Sequence, residues 1–366
     1  MSTSGKLSML EYVAMTPATL RRQIVGEYER PLAEALQRFG GRCVRIVASG
    51  SSYNAALITR HYLRRWLERE VLVTEPFSFC AYELPPCGDE FPFVVSQSGY
   101  SSNALSALDA LRRCGRMAIG VTANPQSDFK DRAELLVDYG AGEETVGYVT
   151  MGVTALCFFL CLFALRTAYL EGRLDGDGWQ AERAMLYRTV EAFEQISQQA
   201  EPLLRRRYRE LSSMESAFLI GTGPAYGVAC EGALKLGETV QIDAIPCETE
   251  EFLHGPELRL TPAYTLFFLA TGKAARERGI ELWRAASLVT DRVFLLTDDP
   301  QAENADLRLP PDLDELLAPL CFLPFFQIAA FFLTKELHRW HRHPLVRQLE
   351  EVVSGKSGNY IPKEVL

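Results

Sequence analysis

Two serine-rich turns have the composition of an anion-binding site. The first, Gly50-Ser51-Ser52, follows an apolar run at residues 44–48 and opens a helical pattern. The second, Ser96-Gln97-Ser98-Gly99-Tyr100-Ser101, follows a similar run at 91–95. Backbone N–H groups and the helix dipole favour an anion at a helix start, and serine hydroxyls add donors. Two such turns suit a phosphate monoester, although serine also caps helices without any ligand. The candidate binding residues are Gly50, Ser51, Ser52, Ser96, Gln97, Ser98 and Ser101.

Charged residues of the second half could move protons. Glu231, Lys235 and Glu238 share one face of a helix that turns about 100° per residue. A surface pair of Glu and Lys at i,i+4 is the alternative that needs no function. His254 is one of five histidines in the chain, and a solvent-exposed side chain is its alternative. A carboxylate base and a nearby histidine would suit proton transfer at a carbon next to a carbonyl.

The sequence predicts no cofactor and no metal. Gly221-Thr222-Gly223 begins a glycine-rich segment, with Asp243 about where a ribose-binding acid is expected. Its GxGxxxG spacing and Pro224 argue against a nicotinamide cofactor, and there is no Walker A sequence. Nine cysteines occur singly without a CxxC pair, which predicts reduced thiols and a cytoplasmic protein.

Strand and helix patterns alternate along the chain, which predicts an α/β fold with two doubly wound parallel sheets, each flanked by helices. Gly50 and Gly221 are 171 residues apart, and Gly99 and Gly272 are 173 apart, so the order recurs as in an internal duplication. The predicted segments are a helical lead-in (1–40), a first α/β domain (41–171), a helical linker (172–212), a second α/β domain (213–338) and a C-terminal tail (339–366).

Charge and hydropathy exclude several classes of partner. The chain has 366 residues and a net charge of −9, which disfavours nucleic acid because phosphate neutralisation needs a basic face. Uncharged runs at 145–165 and 316–334 are about long enough to span a bilayer. Their glycine, threonine, proline and glutamine content favours buried core helices and no membrane partner. The first ten residues lack a long apolar core, so no secretory signal is expected.

The motifs GSSYN, SQSG, EGALKLGE and HGPE, in that order, resemble the SIS (sugar isomerase) family. The resemblance runs from about residue 30 to the end, as two SIS units in tandem with flavodoxin-like topology. It is nearest to the isomerase domain of glucosamine-6-phosphate synthases and to deglycases of phosphorylated glycated amino acids. It implies that the serines and Gln97 bind phosphate and sugar, and that Glu238 shuttles a proton beside the motif residues Glu231 and Lys235. It also implies that His254 opens the sugar ring, often from the neighbouring subunit of a homodimer or higher oligomer with a shared active site.

Departures from the synthase pattern favour the deglycase branch. The SQSGET turn is here SQSGYS, and the STKA segment is Val149-Thr150-Met151-Gly152. The family's tail lysine is missing from the aligned stretch at 347–353, with Lys356 out of register, and no glutaminase is expected before the first SIS unit. The expected function is cleavage of a hexose 6-phosphate joined to an amino acid, such as fructoselysine or glucoselysine 6-phosphate, by 1,2 proton transfer and imine hydrolysis. An aldose–ketose isomerase, an aminotransferring relative and a non-catalytic sugar-phosphate-binding protein are the alternatives.

Overall fold

Alternating strands and helices build two parallel sheets, as predicted. The computed structural model describes residues 6–86, 88–341 and 343–363, so Cys87 lies outside the described residues. Within those ranges, the first sheet has five strands in the order β2-β1-β3-β4-β5, which is the flavodoxin-like order. Its strands are β1 (Cys43–Val47), β2 (Glu70–Thr74), β3 (Glu90–Val95), β4 (Ile119–Thr122) and β5 (Leu135–Asp138).

The second sheet repeats this topology. In the described part of the chain its order is β10-β9-β8-β6-β7, with every pair parallel. Read from β7 to β10, this is the strand order of the first sheet. Its strands are β6 (Ser216–Gly221), β7 (Asp243–Cys247), β8 (Thr265–Ala270), β9 (Val293–Thr297) and β10 (Leu307–Arg308). The sequence patterns did not reveal β7 and β10, because β7 contains proline and β10 has only two residues.

Helices connect the strands and flank the sheets. The helices in the first half of the chain are α1 (Met9–Gly26), α2 (Arg30–Phe39), α3 (Ser51–Leu67), α4 (Pro76–Tyr82), α5 (Ser102–Arg113), α6 (Phe129–Arg132) and α7 (Met151–Leu170). The later ones are α8 (Gly176–Arg206), α9 (Tyr208–Ser212), α10 (Pro224–Lys235), α11 (Lys273–Ala286), α12 (Leu323–Glu336) and α13 (Pro344–Val352).

The two long apolar runs form core helices. Both α7 and the helical stretch at 318–336 are long and apolar enough to cross a membrane by length and composition, and 83% of each apolar window is buried inside the protein. Phe163 of α7 packs edge-on against Phe93 of β3 at 5.9 Å between ring centroids. Phe326 of α12 packs in the same manner on Phe267 of β8 at 5.6 Å. This burial agrees with the core-helix interpretation of both runs.

The chain divides into two units. The first contains Ala18–Ala184 together with the tail from His341 onward, and the second contains Met9–Pro17 and Met185–Trp340. The division therefore falls within α8, and the tail returns to the first unit. The domain boundaries drawn from the sequence remain predictions.

The turns after the first and third strands of each sheet adopt matching conformations. Gly50 before α3 and Gly223 before α10 have φ values of +57° and +60°. Gly99 and Gly272 have φ values of +68° and +75°, before α5 and α11 respectively. Both pairs are 173 residues apart. The sequence pairing of Gly50 with Gly221 was therefore wrong by two residues, because Gly221 is still part of strand β6.

Candidate active site

The second serine turn (residues 96–101) is a hydrogen-bonded loop between β3 and α5. The Ser96 hydroxyl donates to the Ser101 hydroxyl at 3.2 Å and accepts from the Gly99 amide at 3.2 Å. The Ser98 hydroxyl accepts from the Tyr100 amide at 3.3 Å. These bonds gather three hydroxyls at the start of a helix, where an anion is favoured.

Only glycine fits at position 99 of this turn. Its φ of +68° is a conformation that side chains disfavour. A Cβ atom there would lie 1.8 Å from the Ser127 Oγ atom. Ser127 is fully buried and its hydroxyl donates to the Asn124 carbonyl at 2.6 Å, so it has no room to withdraw. The close packing fixes the positions of the neighbouring serines.

The first serine turn (residues 50–52) lies at the same edge of the sheet. Strands β1 and β3 are adjacent and parallel, so both turns follow neighbouring strand ends. The side chain of Asn103, in the first turn of α5, donates to the Ser49 hydroxyl at 3.0 Å and links the two turns. Ser51 and Ser52 are both buried at the start of α3. The structure thus brings together the two sets of predicted anion ligands, and their binding role stays a prediction.

Glu144, which the sequence did not single out, holds Gln97 and the start of α7. Its carboxylate accepts from the Gln97 side-chain amide at 3.4 Å. It also accepts from the Thr150, Met151 and Gly152 amides at 2.9, 3.2 and 2.7 Å. A carboxylate at a helix start is stabilised by the free N–H groups and the dipole. No sequence signal marks Glu144, because it lies in a loop seven residues before the first residue of the helix that it caps.

The C-terminal tail brings a lysine to the second serine turn. Lys356 donates from Nζ to the Ser98 hydroxyl at 3.1 Å and to the Ser101 hydroxyl at 3.3 Å. In sequence this lysine is out of register with the one expected from the resemblance, and it is 255 residues from Ser101. The tail nevertheless supplies a cation to the first unit.

Glu231, Lys235 and Glu238 form a charge cluster in the second unit, which is called here the carboxylate–lysine cluster. Lys235 Nζ lies 3.3 Å from Glu231 Oε1 and 2.5 Å from Glu238 Oε1. The shared helix face predicted from the sequence is confirmed. The interpretation as a surface pair is wrong, because the Lys235 and Glu231 side chains are each only 1% exposed.

The last residue of this cluster sits on a distorted helical turn. After α10 the chain continues as a π-helical turn from Leu236 to Val240, a feature common at functional sites. The Glu238 side chain is 29% exposed and so reaches solvent, unlike its two partners. Burial alone lowers the pKa of Lys235, but the charges of Glu231 and Glu238 outweigh it and raise that pKa. Lys235 is therefore a permanent cation that orients the Glu238 carboxylate.

His254 lies on an exposed loop of the second unit. It follows a short helix (Glu251–Leu253), and its backbone amide donates to the Glu251 carbonyl at 3.0 Å. Its side chain is exposed, so its proposed catalytic role stays a prediction. Asp243, once a candidate ribose ligand, begins strand β7 with an exposed side chain.

Comparison with known proteins fits this geometry. Residues 42–166, which contain the first sheet and both serine turns, match the SIS domain family. This segment of the chain is similar to SIS domains. The predicted resemblance to SIS proteins is therefore confirmed, whereas a particular closeness to deglycases is not.

The sequence relatives of this chain include aminotransferases. It is 28% identical over 295 residues to the glutamine–fructose-6-phosphate aminotransferase [isomerizing] of Gloeobacter violaceus, covering 79% of this chain and 48% of that protein. With the enzyme of the same name from Aeropyrum pernix it is 29% identical over 336 residues, covering 89% and 54%. The chain thus spans about half the length of the curated relatives it matches.

Solved structures share the fold of both units. The C-terminal domain of glucosamine-fructose-6-phosphate aminotransferase from Francisella tularensis superposes with a TM-score of 0.82 at 18% identity, covering 92% of this chain and 97% of that one. The tagatose-6-phosphate ketose/aldose isomerase of Escherichia coli superposes with a TM-score of 0.72 at 16% identity, covering 90% and 93%. At such low identity these likenesses establish the SIS fold alone.

Proposed function

We propose that this protein is an enzyme that acts on a hexose 6-phosphate joined to an amino acid and releases the free amino acid. The serine turns bind the phosphate, and Glu238 moves the proton. The observation that carries the proposal is the Glu238 carboxylate, held by a buried lysine yet open to solvent. A carboxylate that is held in place and accessible is suited to act as a general base.

The proposed reaction is a 1,2 proton transfer followed by hydrolysis. In an open-chain ketoamine, Glu238 removes a proton from C1, the carbon between the amine and the carbonyl, and an enaminol forms. The proton returns to C2, and the electron pair of the enaminol becomes the C1–nitrogen double bond of an imine. Water adds to C1, the carbon–nitrogen bond breaks, and the products are the amino acid and an aldose 6-phosphate. In this transfer C1 is oxidised while C2 of the same sugar is reduced, so the reaction needs no external oxidant or reductant.

Phosphate binding would supply positioning for this reaction. Contacts to a group remote from the reacting carbon hold the substrate in a productive orientation. The two serine turns give that role to hydroxyls and backbone amides of the first unit. Variants of the serines are therefore expected to raise KM, whereas variants of Glu238 are expected to lower kcat.

The test is the release of free amino acid from fructoselysine 6-phosphate and glucoselysine 6-phosphate. The wild-type protein should release lysine and a hexose 6-phosphate, and Glu238→Gln should lower kcat by roughly 10²- to 10⁴-fold, the usual contribution of a general base. Glu336→Gln, an exposed position near the end of α12, is the matched control and should behave as wild type. Normal turnover by Glu238→Gln would refute the mechanism.

Two other results would assign a different function. Interconversion of fructose 6-phosphate and glucose 6-phosphate without release of amine would identify an aldose–ketose isomerase, which needs the same carboxylate. Binding of these sugars with no turnover of any kind would identify a sensor. Each outcome contradicts the deglycase proposal but is compatible with the proposed phosphate site.

The proposed role of His254 includes a homodimer in which the active site is shared. We expect His254→Ala to be nearly inactive, because ring opening and proton transfer at the sugar oxygens would lose their acid. Mixing inactive His254→Ala with inactive Glu238→Gln under conditions that exchange subunits should restore part of the activity if the histidine acts in the partner's site. Absence of any restoration in proven mixed dimers would place both residues in one subunit.

A further inference from the structure

The tail is paired with the second serine turn through its backbone. The Ser102 amide donates to the Gly355 carbonyl at 3.1 Å, and the Ser357 amide donates to the Tyr100 carbonyl at 2.8 Å. These bonds make an antiparallel bridge with Ser101 opposite Lys356. The pairing fixes the backbone of Lys356 beside the second serine turn, so the position of the ammonium does not depend on its own hydrogen bonds alone.

Further contacts anchor the tail on the C-terminal side of Lys356. The rings of Tyr100 and Tyr360 pack at 5.8 Å between centroids. The Asn359 side-chain amide donates to the Asp128 carboxylate at 3.0 Å. The ammonium of Lys363 lies 3.0 Å from the Glu143 carboxylate. Tyr100, which replaces the glutamate of the synthase's SQSGET turn, thus provides a surface on which the tail rests.

The contacts of Lys356 leave the serine hydroxyl protons available for a ligand. Its ammonium has only donors, so Ser98 and Ser101 must accept from it. Ser98 also accepts from the Tyr100 amide, and Ser101 also accepts from Ser96. Within the described residues, no acceptor is assigned to the Ser98 or Ser101 hydroxyl proton. Both O–H groups and the ammonium can therefore donate to one anion.

Lys356 also has no negative charge to balance it. No carboxylate forms an ion pair with its ammonium among residues 6–86, 88–341 and 343–363, where it contacts two neutral hydroxyls and lies 5.3 Å from the centre of the Tyr360 ring. Burial, and next the charge of Lys363, lower the pKa of Lys356. A partly buried cation without a counter-ion is costly, and an anion bound at this place would offset the cost.

We infer that Lys356 is a phosphate-binding residue, delivered by the C-terminal tail to the hydroxyls of Ser98 and Ser101. The inference rests on the proposed function, because it assumes that the second serine turn holds a phosphate monoester. It adds a positively charged side chain to the proposed phosphate site, from a position 255 residues after Ser101. Hydroxyls and amides alone would bind phosphate through neutral donors, whereas an ammonium forms a stronger charge-assisted bond.

The test measures binding of D-fructose 6-phosphate, inorganic phosphate and D-fructose to the full chain by titration calorimetry. Lys356→Met and Lys356→Gln should weaken binding of both phosphate probes by roughly 10- to 100-fold, the usual loss for a hydrogen bond from a charged group. Lys356→Arg should stay within several-fold of wild type. Lys130→Met removes an exposed lysine of the same unit and should change nothing. Fructose should bind weakly and equally to all variants.

The outcomes separate the inference from the proposed function. Wild-type preference for fructose 6-phosphate over fructose, together with unchanged affinity in Lys356→Met and Lys356→Gln, overturns the inference and leaves the phosphate site intact. Tighter phosphate binding by Lys356→Met also overturns it, because the lysine would then be occupying the place of the anion. A wild-type protein that does not prefer the phosphorylated sugar overturns both.

Discussion

The two units have the same strand order but differ in what faces the corresponding turn. In the first unit the turn at Gly99 meets the cation of Lys356. In the second, the amide of Gly272 donates to the Asp298 carboxylate at 3.1 Å. Asp298 is the first residue after β9, and the first residue after β4 is Ala123. The turn of the second unit is therefore closed by a carboxylate that follows its fourth strand, whereas the turn of the first unit contacts a lysine ammonium.

The other pair of turns also differs in its side chains. In the second unit the Thr222 hydroxyl donates to the Glu248 carboxylate at 2.6 Å. In the first unit Ser51 and Ser52 stand at the start of α3, beside the second serine turn. The two units thus share the backbone conformation of this turn, while the side chains around it differ. The second unit contributes the carboxylate–lysine cluster instead.

The largest effect on stability is expected when the cation of this cluster is removed. Lys235→Met would leave the buried Glu231 carboxylate without the ammonium that it contacts, and breaking a buried ion pair costs about 3–5 kcal/mol. Urea denaturation should show this loss in the free energy of unfolding. Lys335→Met, at an exposed position of α12, should change it little. Equal stability of the two variants would mean that the cluster is not a structural unit.

Alanine at matched glycines should distinguish the turns of the two units. Gly99 and Gly272 both have positive φ, which costs alanine about 1–2 kcal/mol at either position. At Gly99 the new methyl group would also press on buried Ser127, adding about 1–3 kcal/mol of overpacking. At Gly272 the nearest atom, of Glu315, is 3.7 Å away. Gly99→Ala should therefore unfold at lower urea concentration than Gly272→Ala, and the reverse order would contradict the packing described for the second serine turn.

A smaller effect is expected from opening the closed turn of the second unit. Asp298→Ala removes the carboxylate that accepts from Gly272 at the start of α11 and pairs with Arg276 at 3.4 Å. Loss of such a cap costs about 0.5–2 kcal/mol of unfolding free energy. Asp291→Ala, in an exposed loop, should cost less. A gain in phosphate affinity by Asp298→Ala would show that the carboxylate alone keeps this turn from binding anions.

The mildest expected effect is a pH dependence of phosphate binding. Burial lowers the pKa of Lys356, so its ammonium loses its proton at a lower pH than an ordinary lysine does. Above pH 8 the phosphate monoester is already a dianion, since its second pKa is about 6. Affinity for fructose 6-phosphate should therefore fall as pH rises through the lowered pKa of Lys356. Lys356→Met should lack this slope, and an identical slope in both proteins would assign it to another group.

Local sequence was enough to predict the parts of the site that lie next to one another along the chain. Ser96, Ser98 and Ser101 belong to one turn, and the helical period alone brought Glu231 towards Lys235 and Glu238. The repeated alternation of apolar runs and helices predicted two parallel sheets, whereas their flavodoxin-like strand order was implied by the family resemblance, and strands β7 and β10 were missed. These features depend on contacts over a few residues or on a regular pattern, and both are visible in a single sequence.

Features that depend on distant contacts were not predictable. The position of Lys356 requires the tail to pair with a turn 255 residues earlier, and its apparent register was misleading. The burial of Lys235 depends on packing around α10, so the same spacing also suited a surface pair. The π-helical turn at Glu238 and the capping of α7 by Glu144 have no period or motif that marks them.

The return of the tail to the first unit affects the design of truncated proteins. A fragment ending near Ala184 would retain both serine turns but would lose the polypeptide that carries Lys356. Its ligand-binding measurements would then lack the contact that we propose for Lys356, however well the fragment folds. An internal deletion that removes Met185–Trp340 and joins Ala184 to the tail through a linker is the truncation that keeps all the proposed phosphate contacts together.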